Sequence, residues 1–291
     1  MHVIEAKGLL HRNGGFLGMN VYRGCTHGCI YCDSRSRCYG FTHPFEDIEV
    51  KGNAPALLEA ALSSRRKPCM IGTGSMSDPY MHCETELGIT RRCLEIILKY
   101  GFGAAIQTKS DRILRDLDLL EAINRQTKCV VQMTLTTWDE TLCRIVEPNV
   151  CPTQRRLEVL SELQKRGIPT LVWLAPILPF LNDTEENVSA ILEACGEVGV
   201  RGILCFDMGM TLREGDREYY YAALDRHFPG LKERYIHSYG SAYELPSPNR
   251  DRLMRLFREI CGKYGMLSRP EDCFHWLAEM PQNYEQTRME L

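Results

Sequence analysis

Residues 22–33 read Tyr22-Arg23-Gly24-Cys25-Thr26-His27-Gly28-Cys29-Ile30-Tyr31-Cys32-Asp33. Cys25, Cys29 and Cys32 follow a C-x3-C-x2-C spacing, tight enough for one loop to turn all three sulfurs toward a common centre. Thiolates are soft ligands and favour iron–sulfur clusters, zinc or copper(I) over hard cations. Three of them fall one short of the four-thiolate set that closes a structural zinc site or an ordinary cluster. A cubane cluster on this loop therefore keeps one iron free for a substrate or cofactor. A structural zinc ion would instead recruit His27 or Cys38 as its fourth ligand.

Working outward from the loop, Phe16 to Tyr22 reads as a first strand preceded by a Gly14-Gly15 turn. Downstream, Asn53 caps a helix from Ala54 to Arg66 that has Pro55 at its start and is stopped by Lys67-Pro68. Short apolar runs then alternate with helices. The strands are Cys69–Gly72, Gly103–Thr108, Cys129–Leu135, Thr170–Leu174 and Gly202–Phe206. The helices are Glu84–Tyr100, Ile113–Asn124, Thr153–Lys165 and one capped by Thr184 that runs to about Val198. This alternation predicts βαβ units, right-handed connections and a parallel sheet. Six strands suit an α/β partial (β/α)6 barrel of the TIM type, and a doubly wound open sheet is the alternative that periodicity allows. After Gly209 the pattern changes to helices at Asp216–Phe228 and Ser247–Tyr264. The expected organisation is a core over 1–213 and a helical extension over 214–291 packed on the barrel, with a patternless tail from Ser268 to Leu291.

The 291 residues are 44% hydrophobic and 25% charged with a formal charge of −3, so no overall basic excess marks a nucleic-acid binder. Eleven of the fourteen cysteines lie outside the loop and form no second cluster; they read as small buried hydrophobes of a reducing cytoplasm. Met1 to Lys7 carries no apolar signal region. Leu171 to Leu181 is interrupted by Pro176 and Pro179 and is too short to span a bilayer. A soluble cytoplasmic protein is expected.

Functional groups of parallel barrels gather at the strand C-termini. Those positions hold Gly72-Thr73-Gly74-Ser75-Met76-Ser77-Asp78-Pro79-Tyr80, then Thr108-Lys109-Ser110, Thr134 to Thr137, Ala175-Pro176-Ile177 and Asp207-Met208-Gly209. Taken singly, each reads as a helix cap, a turn or a surface charge. Their recurrence downstream of the cysteines singles out Ser77 and Lys109, with Ser75 and Thr134 beside them.

The cysteine spacing, with aromatic Tyr31 before the third cysteine, resembles the motif of the radical S-adenosylmethionine (SAM) enzymes. The resemblance implies a [4Fe-4S] cluster on Cys25, Cys29 and Cys32, with SAM chelating the fourth iron. It also implies an external one-electron reductant and cleavage of SAM to methionine and a 5′-deoxyadenosyl radical that abstracts hydrogen from a substrate. From about Asn20 to Gly209 the chain resembles the spore photoproduct lyase-like branch, often labelled "DNA repair photolyase". It is close there to the radical SAM mobile pair proteins, thought to act beside a second radical SAM protein. The stretches that carry this are Gly72 to Tyr80, Thr108 to Ser110, Leu114 to Leu120, Glu147-Pro148 and Ala175 through Asp183. In that branch the positions of Tyr31, Ser77 and Lys109 lie at the SAM site, and the implied chemistry is lyase-like DNA repair. Two departures stand out: Ser75 replaces the cysteine that returns a hydrogen atom in spore photoproduct lyase, and Asp33 replaces an aromatic residue. Cys38 and Cys83 are the other candidate donors. A nucleic-acid substrate gains some support from six basic against two acidic residues between Pro246 and Arg269, with Arg252, Arg255 and Arg258 at helical spacing. The competing readings are modification of a peptide or small molecule, and a non-catalytic iron–sulfur protein.

Overall fold

Strand β1 (His2–Ile4), β2 (Leu10–Asn13), β3 (Phe16–Met19) and β4 (Tyr22–Arg23) lead into the cysteine loop, which carries 3-10 turns at Asp33–Arg35 and Arg37–Tyr39. Strand β5 (Glu49–Lys51), helix α1 (Ala54–Ser63), β6 (Met70–Thr73), α2 (Glu84–Leu87), α3 (Ile89–Lys99) and β7 (Gly103–Thr108) follow. Next come α4 (Leu117–Gln126), β8 (Cys129–Thr134), α5 (Glu140–Val146), α6 (Thr153–Lys165), β9 (Thr170–Trp173), α7 (Glu185–Val198) and β10 (Gly202–Leu204). The chain closes with β11 (Gly209–Thr211), α8 (Asp216–His227), α9 (Leu231–Tyr239), β12 (Glu244–Pro246), α10 (Arg250–Tyr264) and α11 (Pro270–Ala278). This computed structural model describes residues 1–13 and 15–281. Gly14 of the expected Gly14-Gly15 turn and residues 282–291 of the tail fall outside those residues.

Strands β3, β6, β7, β8, β9 and β10 lie parallel in chain order, with β2 antiparallel to β3 at the edge. The order never reverses, as a doubly wound sheet requires, and the sheet is a partial TIM-type barrel. Because its strands are buried on both faces, they are near-continuous apolar runs. Ile106, Val131, Val172 and Ile203 face outward into a core completed by Leu58, Leu94, Leu120, Leu160, Ile191 and Phe257 of the surrounding helices. Their alternates Met70, Ala105, Val130, Leu171 and Leu204 face inward and pack on Cys273 and Leu277 of α11. Gly202 lets the chain pass this close, since a Cβ there would lie 2.7 Å from that of Leu267. Two smaller sheets, β1-β5-β4 and β11-β12, flank the barrel, and the second joins residues on either side of position 213.

The structure differs from the sequence expectation in definite places. The Glu84–Tyr100 helix is broken at Gly88, where φ is 60°. The Glu84 carboxylate there accepts the backbone N–H of Ile89 and Thr90, both at 3.1 Å, and so caps a new helix. The expected Ile113–Asn124 helix starts as a 3-10 turn over Asp111–Asp116 and becomes α-helical only at Leu117. The Ser247–Tyr264 helix begins at Arg250, because Ser247 donates to Asp183 Oδ2 at 2.5 Å and accepts from Asn249 N instead of joining the helix. Helices α5 and α9, the two small sheets, and α11 within the tail that showed no pattern were not legible. No helix among the described residues is long and apolar enough to cross a membrane.

Candidate functional site

The strand C-termini and the cysteine loop enclose a cavity of about 720 Å³. Cys25, Cys29, Cys32, Tyr31, Ser75, Ser77, Lys109 and Thr134, the eight residues singled out in the sequence, all line it. The loop is fixed from two sides. Ile30 N donates to Val146 O at 3.0 Å, and Asn149 ties to His27 O and Thr26 O at 3.1 and 2.9 Å. Gly24 has a φ of 83°, and a Cβ there would meet Phe45 O at 2.4 Å, so only glycine admits the turn into Cys25.

All three loop cysteines are free thiols. Burial pushes the Cys25 thiol up to about 12 and raises Cys29 and Cys32 as well. Thiolates therefore form here only beside a compensating cation, and three of them on one wall suit a soft metal centre. His27 is buried with Nε2 3.0 Å from Asp78 Oδ2, inside the same wall. Cys38 is exposed and does not line the cavity, and Cys83 lines a separate pocket. Neither of these proposed hydrogen donors is brought to the site.

The Gly72–Tyr80 loop is organised by Asp78. Its carboxylate accepts Tyr80 N and Thr108 Oγ1, both at 2.8 Å, and Lys109 N at 2.7 Å. Burial works against the charge, but His27 and these hydrogen bonds bring the Asp78 pKa down to about 2. Ser77 Oγ donates to Tyr22 O at 2.8 Å, which leaves its lone pairs as acceptors. Ser75 is exposed at the cavity edge. Burial also opposes the Lys109 ammonium, yet Cys29 and Glu147 raise its pKa above the ordinary lysine value. It stays charged, with Nζ 5.9 Å from the Tyr31 ring centroid.

Sequence reading missed the group beneath this wall. The Tyr31 hydroxyl donates to Glu147, so only its ring is offered to the cavity. Fully buried Glu147 pairs with fully buried Arg156 at 2.5 Å, and Arg156 also donates to Cys151 O at 2.8 Å and Thr134 O at 3.0 Å. One network thus joins the cysteine loop to the end of β8. The signal for it was present: Arg156 sits three, four and seven residues before Val159, Leu160 and Leu163, on the apolar side of α6.

The far wall is aromatic. Trp173 and Phe206 line the cavity with ring centroids 6.0 Å apart, and Phe274 backs both. Trp173 is fixed by its Nε1–H donating to Gln132 Oε1 at 3.0 Å, whereas Phe206 is 61% exposed. Arg250 stands at the mouth, held by Asp207 at 2.6 Å. Arg252 is paired with Glu185 at 2.6 Å, so the basic face expected on α10 is partly neutralised.

The family model described as the radical SAM superfamily matches residues 19–195. An uncharacterized protein of Mycobacterium tuberculosis is 30% identical over 259 residues, covering 84% of this chain and 74% of the relative. A radical SAM Nα-GlyT isomerase of Pseudomonas phage M6 is 23% identical over 175 residues, 60% of this chain and 35% of that one. Among solved structures, spore photoproduct lyase complexed with dinucleoside spore photoproduct superposes with a TM-score of 0.63 at 14% identity, over 85% of this chain and 74% of the other. The radical SAM methyltransferase TsrM from Kitasatospora setae, with cobalamin and a [4Fe-4S] cluster bound, gives a TM-score of 0.52 at 13% identity, over 84% and 52%. These two likenesses speak for the fold.

Proposed function

The chain belongs to the radical SAM superfamily, whose members use a [4Fe-4S] cluster and SAM, and from that premise we propose an enzyme that abstracts hydrogen from a nucleic-acid substrate. When bound, the two cofactors supply reductive cleavage of the SAM sulfonium to methionine and a 5′-deoxyadenosyl radical, with an electron from an external donor. The carrying observation is the convergence of Cys25, Cys29 and Cys32 with Tyr31, Ser75, Ser77, Lys109 and Thr134 on one cavity.

In this reading Cys25, Cys29 and Cys32 hold the cluster and leave one iron to the cofactor. The Lys109 ammonium would meet a carboxylate of the cofactor, and the Ser77 lone pairs would accept from its amino group. Ser75 and Thr134 offer further polar contacts, and the Tyr31 ring forms a face of the same pocket. Glu147 and Arg156 hold Tyr31 in place, while Leu245 and Met210 on the far side keep water out. Residues 1–213 form the catalytic core, and 214–291 form the extension that supplies Arg250, Leu245 and the α11 plug.

Substrate enters against Trp173 and Phe206. An exposed aromatic face beside a guanidinium suits a nucleobase with its phosphate, and stacking of that kind contributes about 1–3 kcal/mol per base. Spore photoproduct lyase has been solved with a dinucleoside photoproduct, which agrees with this choice. A serine O–H is too strong to return a hydrogen atom from Ser75. The lyase-like reaction proposed here is therefore something other than spore-photoproduct repair. The test is anaerobic incubation of reconstituted protein with SAM, reductant and separate DNA, RNA and peptide pools, read by mass spectrometry. Iron-dependent 5′-deoxyadenosine with a mass change confined to DNA or RNA supports the proposal. A change confined to peptides overturns the substrate, and no 5′-deoxyadenosine overturns the enzyme.

A further inference from the structure

Apart from the cavity, three residues of the N-terminal region bring metal-ligating atoms together. His2 on β1, His43 in the loop before β5 and Glu49 on β5 place one ligand atom each within 4.8 Å of one another. We propose that they form a second metal site, for one divalent transition-metal ion of the zinc class. Two imidazoles and a carboxylate are the donors that Zn²⁺ takes when it keeps a fourth position for water.

The side chains are oriented for this. His43 Nδ1 lies 3.0 Å from Pro44 O, so that nitrogen carries a proton, and Nε2 points at Glu49 Oε1 at 2.9 Å. A metal ion takes the place of the Nε2 proton. A metal-bound histidine characteristically donates its other N–H to a backbone carbonyl or carboxylate in this way. His2 turns Nδ1 toward Asp47 Oδ2 at 3.5 Å, a longer ion-pair contact, and this leaves its Nε2 the better placed to ligate. The two rings meet edge-on at 4.9 Å, and Phe41 packs against His43 from another side at 5.8 Å. Side-chain exposures of 19% for His43, 12% for Glu49 and 44% for His2 describe a pocket closed at the back and open to solvent at one ligand.

At Glu49 a positive charge opposes the ion. Arg23 Nη1 donates to Glu49 Oε1 at 2.9 Å, and its Nη2 donates to Tyr39 O and Gly40 O at 2.6 and 3.1 Å. The metal therefore shares Oε1 with Arg23 and binds less tightly than to an unshared glutamate. Bound there, it clips β1 to β5, whose other neighbour β4 runs directly into the cysteine loop.

The test is zinc stoichiometry on the full chain, with Zn²⁺ as probe, measured after dialysis by elemental mass spectrometry. Two backgrounds are used: protein with its iron–sulfur cluster reconstituted, and the C25S/C29S/C32S variant. We expect one zinc per chain on both backgrounds, lost on dialysis with His43→Ala and with the half-exposed His2→Ala. A Co²⁺ adduct should show ligand-field bands without thiolate charge transfer. Zinc binding unmoved by both histidine substitutions, or a cobalt spectrum dominated by thiolate charge transfer, overturns the site. Neither result depends on SAM chemistry.

Discussion

Replacing Glu147 by glutamine removes one charge and almost no volume. Glu147 and Arg156 are both inaccessible to solvent, 2.5 Å apart. Burial alone raises the Glu147 pKa, but Arg156, Lys109 and the Tyr31 hydroxyl bring it below the ordinary glutamate value, so the pair is ionised. In Glu147→Gln the amide oxygen can accept from Arg156 while its NH2 donates to the Tyr31 hydroxyl oxygen, so the guanidinium keeps one neutral acceptor and its bonds to two carbonyls. Removing one member of a buried pair costs about 3–5 kcal/mol, and the retained hydrogen bonds place this case near 3. That is a large part of the roughly 5–15 kcal/mol that holds a domain together. With a urea m-value of about 3 kcal/mol/M, the midpoint of cluster-free, reduced protein falls by about 1 M. Arg144→Ala, which breaks an exposed pair with Glu140 on α5, should cost only ~0.3–0.5 kcal/mol. The double variant E147Q/R156M should lose less than the sum of its singles. A loss below about 1 kcal/mol for Glu147→Gln, or strict additivity, would refute the assignment of the pair as the brace of the cysteine loop.

Further outcomes follow from other residues. Lys109→Met removes a charge-assisted hydrogen bond of about 1.5–3 kcal/mol, so SAM should bind roughly 10- to 150-fold more weakly to reconstituted protein; equilibrium dialysis showing less than a twofold change contradicts its role. Gly74→Ala should not fold, because φ is 100° and the new Cβ would lie 1.9 Å from Gln107 O, whereas Gly88→Ala, with φ at 60° and open space, should fold with a modest loss. Soluble, native-like Gly74→Ala by circular dichroism would refute this. Burial raises the Asp216 carboxyl from 3.8 to about 6, with Asp33 adding to it. The folded state thus holds the proton more tightly than the unfolded, and this contribution is complete below pH 3.8 and lost as pH rises through about 6. Asp216→Asn should flatten the stability–pH curve in that window, and an unchanged slope there contradicts the assignment. Arg255→Glu with Arg258→Glu should weaken nucleic-acid binding and flatten its salt dependence; a salt slope equal to that of the parent removes α10 from the interface.

The six parallel strands were legible because burial on both faces makes each an apolar run bracketed by helices. That Ser75, Ser77, Lys109 and Thr134 share one cavity with Cys25, Cys29, Tyr31 and Cys32 was legible because parallel strands deliver their C-terminal residues to one place and the cysteine spacing marks a single loop. What escaped reading depends on which groups the fold brings together. Nothing local says that the Glu84 carboxylate will cap α3 and interrupt the helix that Leu87, Leu94 and Ile97 suggest. Arg156 stands beside Arg155 in sequence, and only its register with the apolar side of α6 separates a buried partner of Glu147 from a surface charge. Strands β1, β4 and β5 are two or three residues long and exist through pairing with each other, so no periodicity marks them. Phe206 was read as the end of a strand, and its exposure beside Trp173 becomes visible only once β9 and β10 are neighbours.

The central claim is that Cys25, Cys29 and Cys32 carry a four-iron cluster with one corner left to SAM. Electron paramagnetic resonance of the reduced, anaerobically reconstituted protein tests it most directly, with iron and sulfide counted on the same sample. About four irons per chain are expected, with a spectrum that shifts when SAM is added and a signal that is lost when any one of the three cysteines is replaced by alanine. Zinc in place of iron, or a cluster whose spectrum ignores SAM, would contradict it.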